Sequence, residues 1–354
     1  MKIRKTHASG STRSGGSTRA SGSTRASVHA VIAAVSVLLV LLVLFGLFFG
    51  SVKIPVRDIL AILSGRDRIS AASKIVSGIR LPRILMAVLV GMMLSAGGTI
   101  SQAVFRNPLA DPYIIGISSG AVSGAVLAFI LKLPDIWYGF FAFITAMGTA
   151  FLIFRLSGKR GKTDTASLLI IGVAVSSFLG ALTSFFMYLA GQDSYRVMVW
   201  TMGYLGAASW SRVGLLIIPL VLSMLYFFYY RHDVDALLLG DEEAHSLGIP
   251  VGVLKRQLLV VVSLIAAFSV AFTGMIGFVG LIVPHAVRLC IGSSHGRLLP
   301  VAAYSGGMFL LFADTLARTI LAPVEIPIGV VTAFFGAPFF LFLAVMNSKG
   351  SAHA

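Results

Sequence analysis

The acidic side chains, which could carry proton or metal chemistry, are concentrated in one short stretch of this chain. Five of its 13 Asp and Glu residues lie between Asp233 and Glu243. Carboxylates inside apolar segments mark proton or sodium relays, but the apolar segments here hold almost none. Asp314 stands one helical turn before Arg318, with which it can pair. Glu325 lies beyond the end of the apolar segment that contains these two residues. Without paired carboxylates, a nucleophile beside a base or a metal-ligand cluster, enzyme chemistry has no support in the sequence.

The other candidate reactive groups lead to the same conclusion. The sequence GKRGKT at 158–163 ends like a phosphate-binding loop, but that motif needs a glycine five positions before Gly161, where Leu156 stands. If ATP drives this protein, another subunit must therefore hydrolyse it. His285 stands alone beside a proline and is interpreted as a packing residue. Cys290 is the only cysteine, which excludes an internal disulfide, and we expect no metal site.

The elements that position these residues are membrane helices. Hydrophobic residues make up 57% of the 354 residues and charged residues only 12%, and apolar runs long enough to cross a bilayer recur along the chain. This composition excludes a soluble domain and predicts an all-α integral membrane protein. We expect ten transmembrane helices, near 30–50, 82–104, 113–131, 137–156, 167–190, 212–230, 252–271, 277–291, 299–320 and 328–346.

Two regions of different character are expected. The first 28 residues contain Gly-Ser-Thr-Arg repeated every six positions and have nothing to bury, so residues 1–28 are predicted to form a disordered basic tail and residues 29–348 one membrane domain. A basic tail beside the first span marks the cytoplasmic side more simply than it marks nucleic-acid binding. Cytoplasmic segments then hold about 17 of the 28 Lys and Arg residues. Both termini and the acidic stretch are thereby expected in the cytoplasm.

Two apolar stretches, at 105–121 and 272–285, are interrupted by glycine and proline, one in each half of the chain. Broken helices at related positions point to a transport path between two repeats, because irregular backbone at membrane depth survives only where protein or a cavity satisfies it. An ordinary tight turn at Asn107-Pro108 and Asp111-Pro112, with Asp111 near a helix start, gives the same pattern. The small residues of GMMLSAGGT allow close helix packing.

Four segments resemble the successive signatures of the FecCD-type permeases, the membrane subunits of ABC importers for iron-siderophores, haem and cobalamin. They are IRLPRILMAVLVGMMLSAGGTISQAVFRNPLADPYIIGISSGA, LLLGDEEAHSLGI, GMIGFVGLIVPHAVRL and ADTLARTILAPVEIPIGVVTAFFGAPFF. The similarity runs in order from about Arg80 to Met346, and only the basic tail departs plainly from the family pattern. The resemblance implies a homodimer in the cytoplasmic membrane of a bacterium or archaeon. It also implies two cytoplasmic subunits that bind ATP and magnesium, and an extracytoplasmic substrate-binding protein.

The resemblance assigns a role to the acidic stretch. Residues 235–250, between the sixth and seventh spans, are similar to the coupling helices that sit in a cleft of the ATPase, and we call them the coupling segment. Its leucines can face a partner, its acidic residues can cap a short helix and its last glycine can end that helix. A solvated amphipathic loop would have the same pattern. The expected coupling residues are Leu237, Leu238, Leu239, Gly240, Asp241, Glu242, Glu243, Ala244, Leu247 and Gly248.

Further positions match the docking and gating residues of the family. Outward-facing arginines that receive acidic residues of the binding protein match Arg80, Arg83 and Arg318. Residues that close the path at its cytoplasmic end match Asn107, Leu109, Thr165 and Ala166. Arg196 matches a position near the outer mouth of the path, where it could meet an anionic cargo or act as a plain interfacial arginine.

The alternative to an importer permease is a secondary carrier driven by an ion gradient. The scarcity of intramembrane acids and the presence of the coupling segment both argue against that alternative. An integral membrane enzyme ranks third. Haem, a ferric siderophore and cobalamin all suit the apolar, methionine-containing helices, so the choice of cargo stays open.

Overall fold

The computed structural model describes residues 19–67, 69–113, 116–134, 136–159, 162–163, 165–191 and 194–351, and this part of the chain is almost entirely helical. A π-helical turn, Val76–Arg80, leads into the fourth α-helix, and the strands β1 (Gly158–Lys159) and β2 (Lys162–Thr163) pair antiparallel. The α-helices are α1 (Arg19–Phe48), α2 (Val56–Leu63), α3 (Ala71–Ile75), α4 (Leu81–Val104), α5 (Ile117–Ile130), α6 (Ile136–Ser157), α7 (Thr165–Ala190), α8 (Ser194–Thr201), α9 (Trp210–Tyr229), α10 (Arg231–Leu237), α11 (Asp241–Ser246), α12 (Val251–Thr273), α13 (Val279–Ile291), α14 (His295–Thr319) and α15 (Ile328–Ser351).

Ten of the described helices form the membrane bundle. Seven helical segments have the length and composition to cross a membrane: α1, the stretch 71–104 that ends in α4, and α6, α7, α9, α12 and α14. The shorter apolar helices α5, α13 and α15 complete the ten. Their number and order agree with the ten predicted spans, which confirms the predicted all-α, multi-pass architecture.

The two ends of the bundle differ in what they hold. Successive membrane helices run in opposite directions, so α10 and α11 share one end with the connections that follow α4 and α6. At this end, which we call the coupling end, α10 packs against α4 and α14, and α11 packs against α12. The opposite end, called the far end, holds α2, α3, α8 and the connection between α14 and α15.

The first helix begins earlier than predicted. Residues 1–18 lie outside the described part of the chain, so the disorder predicted for them has no structural test. Residues 19–28 were predicted to belong to the disordered tail, but their backbone forms the first turns of α1. The division of the chain into a tail and a membrane domain at residue 28 stays a prediction.

Helix α4 lies at the centre of the bundle, where glycines let other helices approach its backbone. It packs against α9, α12, α13 and α14. A Cβ atom at Gly91 would overlap the backbone of Gly306 in α14, and a Cβ at Gly98 would overlap that of Gly280 in α13. Such contacts are typical of membrane helices, which associate through close packing of small residues. The close packing predicted for this stretch is confirmed.

The two broken stretches meet inside the bundle. Helix α12 ends at Thr273 and is followed by Gly274, whose φ of 68° favours glycine, and α13 begins at Val279. The connection after α4 folds back so that Pro112 lies against Gly97 of α4 and Gly280 of α13. The two broken stretches, one from each half of the chain, therefore lie against each other at Pro112 and Gly280.

The connection after α4 contains the predicted turns. The Leu109 amide donates to Asn107 Oδ1 at 2.9 Å, and the Tyr113 amide donates to Asp111 Oδ1 at 2.9 Å. Both are asparagine- and aspartate-type turns in which a side chain replaces a backbone acceptor. The turn interpretation is confirmed. The helix start expected near Asp111 is instead at Gly116, which caps α5 with a φ of 75°.

Candidate functional site

The coupling segment folds as two short helices joined by a tight bend. Helix α11 is preceded by Gly240, whose φ of 141° a residue with a side chain rarely adopts, and Gly248 follows the helix with a φ of 84°. The predicted short helix and its end at Gly248 are confirmed. The predicted capping by acidic side chains is wrong, because Gly240 occupies the capping position and no side chain bonds there. Asp241, Glu242 and Glu243 lie in the first helical turn, where negative charge is favourable.

Only part of the predicted apolar face is available to a partner. Leu237 and Ala244 are both 0% exposed and pack into the core of their own chain. Leu239 and Leu247 are 66% and 65% exposed. The expectation that Leu237 and Ala244 offer a partner surface is therefore wrong, since α10 and α11 use them to attach to the bundle. The outer surface of the segment consists of the two exposed leucines together with Glu242 and Glu243, which are also exposed.

Asp241 attaches the coupling segment to two other elements. Its Oδ1 and Oδ2 atoms lie 2.8 and 2.7 Å from Nζ of Lys255, a residue of α12 whose side chain is only 5% exposed. Its Oδ1 atom also lies 3.6 Å from Nη2 of Arg106, in the connection that follows α4. Asp241 itself is 45% exposed. One carboxylate therefore joins α11 to α12 and to the connection that carries Asn107 and Leu109.

Asp235 makes a second attachment, between α10 and the start of α14. Its Oδ1 atom accepts a hydrogen bond from the backbone amide of His295 at 2.8 Å and lies 2.6 Å from Nδ1 of the same residue, which is fully buried. Burial raises the pKa of Asp235, but the two hydrogen bonds with His295 outweigh that effect and leave the pKa below its ordinary value. The carboxylate therefore stays charged at neutral pH.

The far end contains a buried network of ionic groups. Arg83 Nη2 lies 2.8 Å from Asp314 Oδ1, and Arg83 Nη1 lies 2.9 Å from Glu325 Oε2. Arg318 Nε lies 3.3 Å from Asp314 Oδ2, which confirms the pairing predicted for this helical turn, and Arg318 Nη2 donates to the Gly46 carbonyl oxygen at 3.0 Å. The network ties α1, α4 and α14 together.

The three arginines predicted to meet a binding protein are not open to one in the single chain. Arg80, Arg83 and Arg318 are 3%, 7% and 2% exposed. The Arg80 guanidinium donates to the carbonyl oxygens of Leu47 and Val52. The expectation that these three side chains face a partner is wrong for this arrangement, because acids and carbonyl oxygens of their own chain already surround them.

Other basic residues of the far end are exposed. They lie in the connection between α1 and α4. The exposed residues are Lys53, Arg57, Arg66 and Lys74. A negatively charged surface approaching the far end would therefore meet these side chains before it met the buried arginines.

The remaining predicted site residues lie near the coupling segment or outside the described side chains. Asn107 and Leu109 are exposed, and they follow Arg106 directly. Ala166 is exposed at the start of α7, at the coupling end. Thr165 and Arg196 belong to α7 and α8, but their side chains lie outside the part of the chain that the structure describes. Among the described residues no group of three His, Cys, Asp or Glu could hold a metal ion.

Sequence reasoning missed the attachments of the coupling segment. Lys255, a charged residue at the start of a predicted span, was the available signal for one of them. Asp235 and His295 are 60 positions apart and Asp241 and Lys255 are 14 apart, so neither pair has a helical spacing that would reveal it.

Comparisons with known proteins agree with this architecture. Residues 38–346 match the model of the FecCD transport family. The cobalamin import system permease protein BtuC of Halobacterium salinarum is 46% identical over 77% of this chain and 73% of its own length. The hemin transport system permease protein HmuU of Yersinia pestis is 42% identical over 77% of this chain and 83% of its own. A solved inward-facing structure assigned to the metal-chelate type of ABC transporter superposes with a TM-score of 0.79 at 30% identity, covering 90% of this chain and 99% of that one.

Proposed function

Because this chain belongs to the FecCD transport family and is similar to permease proteins of cobalamin and hemin import, we propose that it is the membrane permease subunit of a binding-protein-dependent ABC importer. Its cargo is a metal chelate of the class formed by iron-siderophores, haem and cobalamin. The chain itself catalyses no reaction, and ATP and magnesium are bound by a separate cytoplasmic subunit. Its location is the cytoplasmic membrane of a bacterium or archaeon, with both termini in the cytoplasm.

The observation that carries this proposal is the way the coupling segment is built. Its inner side is fixed to the bundle by Leu237, Ala244, Asp235 and Asp241, while Leu239, Leu247, Glu242 and Glu243 stay exposed. An exposed apolar pair flanked by acids suits a partner groove with basic edges. A force applied by an ATPase to this surface would be passed to α12, α14 and the connection after α4, because those elements hold the inner side.

A second copy of the chain is the proposed neighbour within the membrane. Helix α7 has little buried surface and carries large exposed side chains, among them Phe178 at 68% and Tyr188 at 83%. On α15, Phe334 is 79% exposed. Pairing of two chains through these helices would enclose a wide path between the copies. Arg196, at the far end, is proposed to lie near the mouth of that path.

The cytoplasmic gate is proposed to consist of the connection after α4 and the start of α7. Asn107 and Leu109 supply one part, and Thr165 and Ala166 supply the other. The Arg106–Asp241 contact supports this proposal, because it joins the connection directly to the coupling segment. Movement of α11 would then reach the gate through one ion pair.

The binding protein is proposed to dock at the far end. Acidic residues on that protein would meet the exposed Lys53, Arg57, Arg66 and Lys74. Arg80, Arg83 and Arg318 could receive an acid only if their internal partners moved away. In the arrangement described here, the ionic network of Arg83 and Arg318 holds α1, α4 and α14 together at the far end.

The test of this function is an ATPase and uptake assay in proteoliposomes that contain this chain, its ATPase and its binding protein. The double variant Glu242→Arg/Glu243→Arg is expected to weaken binding of the ATPase at least about tenfold and to abolish uptake, because like charges facing each other cost several kcal/mol. Asp58→Arg, a charge reversal in α2 at the far end, is the matched control for ATPase binding. Normal hydrolysis and uptake in the double variant would contradict the proposed ATPase surface.

A further inference from the structure

A groove on the side of the bundle combines an apolar wall with two arginines at one end. It lies between α6 and α12 and has a volume of about 610 Å³, within the range of about 300–1,000 Å³ common for ligand sites. Its apolar lining includes Met147, Phe151, Phe154 and Val260. Phe151 is 66% exposed and Val260 is 42% exposed. These helices belong to the membrane bundle, so the groove opens towards the acyl chains of the bilayer.

The charged end of the groove lies at the membrane boundary. Arg155 stands in the last turn of α6 and Arg256 in the second turn of α12, both at the coupling end. Both side chains line the groove and are exposed. Among the residues that the structure describes, neither has an acidic partner within 4.0 Å. Two guanidinium groups beside an apolar groove form a site for a molecule with an anionic head and a long apolar tail.

We propose that this groove binds an anionic phospholipid. The phosphate of the headgroup accepts hydrogen bonds from Arg155 and Arg256, and one acyl chain lies along Met147, Phe151, Phe154 and Val260. Arginine is well suited to this role, because its planar fork pairs with phosphate oxygens and its alkyl stem stays on the apolar surface. Basic pockets between membrane helices on the cytoplasmic side are recognised lipid headgroup sites. A lipid with a net negative headgroup is favoured over a zwitterionic one, because the two arginines repel the cation that a zwitterionic headgroup carries beside its phosphate.

The test compares the full-length chain, purified in mild detergent, with lipids of identical acyl chains and different headgroups. Native mass spectrometry would record the binding of phosphatidylglycerol and of phosphatidylcholine. Each arginine near an anionic headgroup contributes about 1 kcal/mol, which corresponds to about fivefold in affinity. Arg155→Gln/Arg256→Gln is therefore expected to weaken phosphatidylglycerol binding about 30-fold and to weaken phosphatidylcholine binding much less, because the choline cation already offsets the attraction between its phosphate and the arginines. Arg297→Gln, at an exposed arginine of the coupling end outside the groove, is the matched control.

Two further measurements distinguish lipid binding in the groove from attraction of the headgroup to surface charge alone. Val260→Trp fills the apolar wall and keeps both arginines, so it is expected to reduce phosphatidylglycerol binding as well. Glycerol phosphate, which has the charged head without a tail, is expected not to compete. Equal binding of the two lipids by the wild type would overturn the proposal. So would full binding by the double arginine variant or by Val260→Trp, or effective competition by glycerol phosphate.

Discussion

Replacing Asp241 with asparagine should weaken the attachment of the coupling segment to the bundle without disturbing the outer surface of that segment. The change removes the negative charge that lies 2.7 Å from Lys255 Nζ and 3.6 Å from Arg106. Removing one member of a fully buried ion pair costs about 3–5 kcal/mol, because the other charge is left without a partner. Lys255 is buried, but Asp241 is 45% exposed, so water screens part of the interaction and we expect about 1–2 kcal/mol.

A double-mutant cycle measures this energy. The free energy of unfolding in detergent would be compared for the wild type, Asp241→Asn, Lys255→Met and the combination of both. Lys255→Met removes the buried ammonium and keeps the apolar stem, so the double variant should be more stable than Asp241→Asn alone. The interaction energy between the two positions is expected to be about 1–2 kcal/mol.

The functional readout separates attachment from binding. Asp241→Asn should retain affinity for the ATPase, since Leu239, Glu242, Glu243 and Leu247 are unchanged, but uptake per ATP hydrolysed should fall several-fold. An interaction energy near zero, or an uptake ratio equal to that of the wild type, would refute the idea that this carboxylate carries movement into the bundle. Loss of ATPase binding would instead place Asp241 at the partner surface.

Three smaller perturbations test other parts of the structure. Asp235→Asn should lower stability by about 1–2 kcal/mol in a thermal unfolding assay, because the buried His295 loses a charged acceptor. Gly98→Ala should destabilise the protein by about 1–3 kcal/mol or more, since its Cβ would overlap the backbone of α13, whereas Gly148→Ala, with no atom within 4 Å of the new Cβ, should be neutral in the same assay. Burial raises the pKa of Glu325, but the Arg83 guanidinium and the Ser51 hydroxyl together lower it by more. The pKa of Glu325 in the folded protein is therefore below its usual value. The charged Glu325 carboxylate therefore stabilises the fold above about pH 4.3, and this contribution is lost as pH falls through its folded pKa. Glu325→Gln should remove this part of the acid dependence of the melting temperature.

The order of the membrane helices and the position of the coupling segment were predictable, because both rest on local signals. Long apolar runs can only be spans, and Gly248 after a short polar helix predicts where that helix ends. The turns at Asn107 and Asp111 were also readable, since each uses a side chain to bond a backbone amide two positions ahead. None of these features depends on which distant element lies nearby.

Burial of individual side chains was not predictable, because it depends on contacts between distant positions. Arg83 donates a hydrogen bond to Glu325, 242 positions later in the chain, and Arg80 donates to the carbonyl oxygen of Leu47 at the end of α1. The sequence does not show that such acceptors surround an arginine at the end of a span, so the arginine is expected to be exposed. Ala244 likewise reads as part of an exposed face, although it packs into the core. The resemblance to a family transfers the identity of a residue to a position, but not its surroundings.

Helix α14 has a mechanical consequence for the whole subunit. Its 25 residues span roughly 37 Å at 1.5 Å per residue, with the Asp235–His295 contact at one tip and the Arg318–Asp314–Arg83 network at the other. Its middle is wedged against α4 at Gly306, where no side chain separates the two backbones. A helix that is held by contacts at both ends and is closely packed at its centre moves as a rigid rod. In the proposed dimer each copy should accordingly tilt as one body, and the deformation that opens the proposed path should occur in the sparsely covered helices α7 and α15.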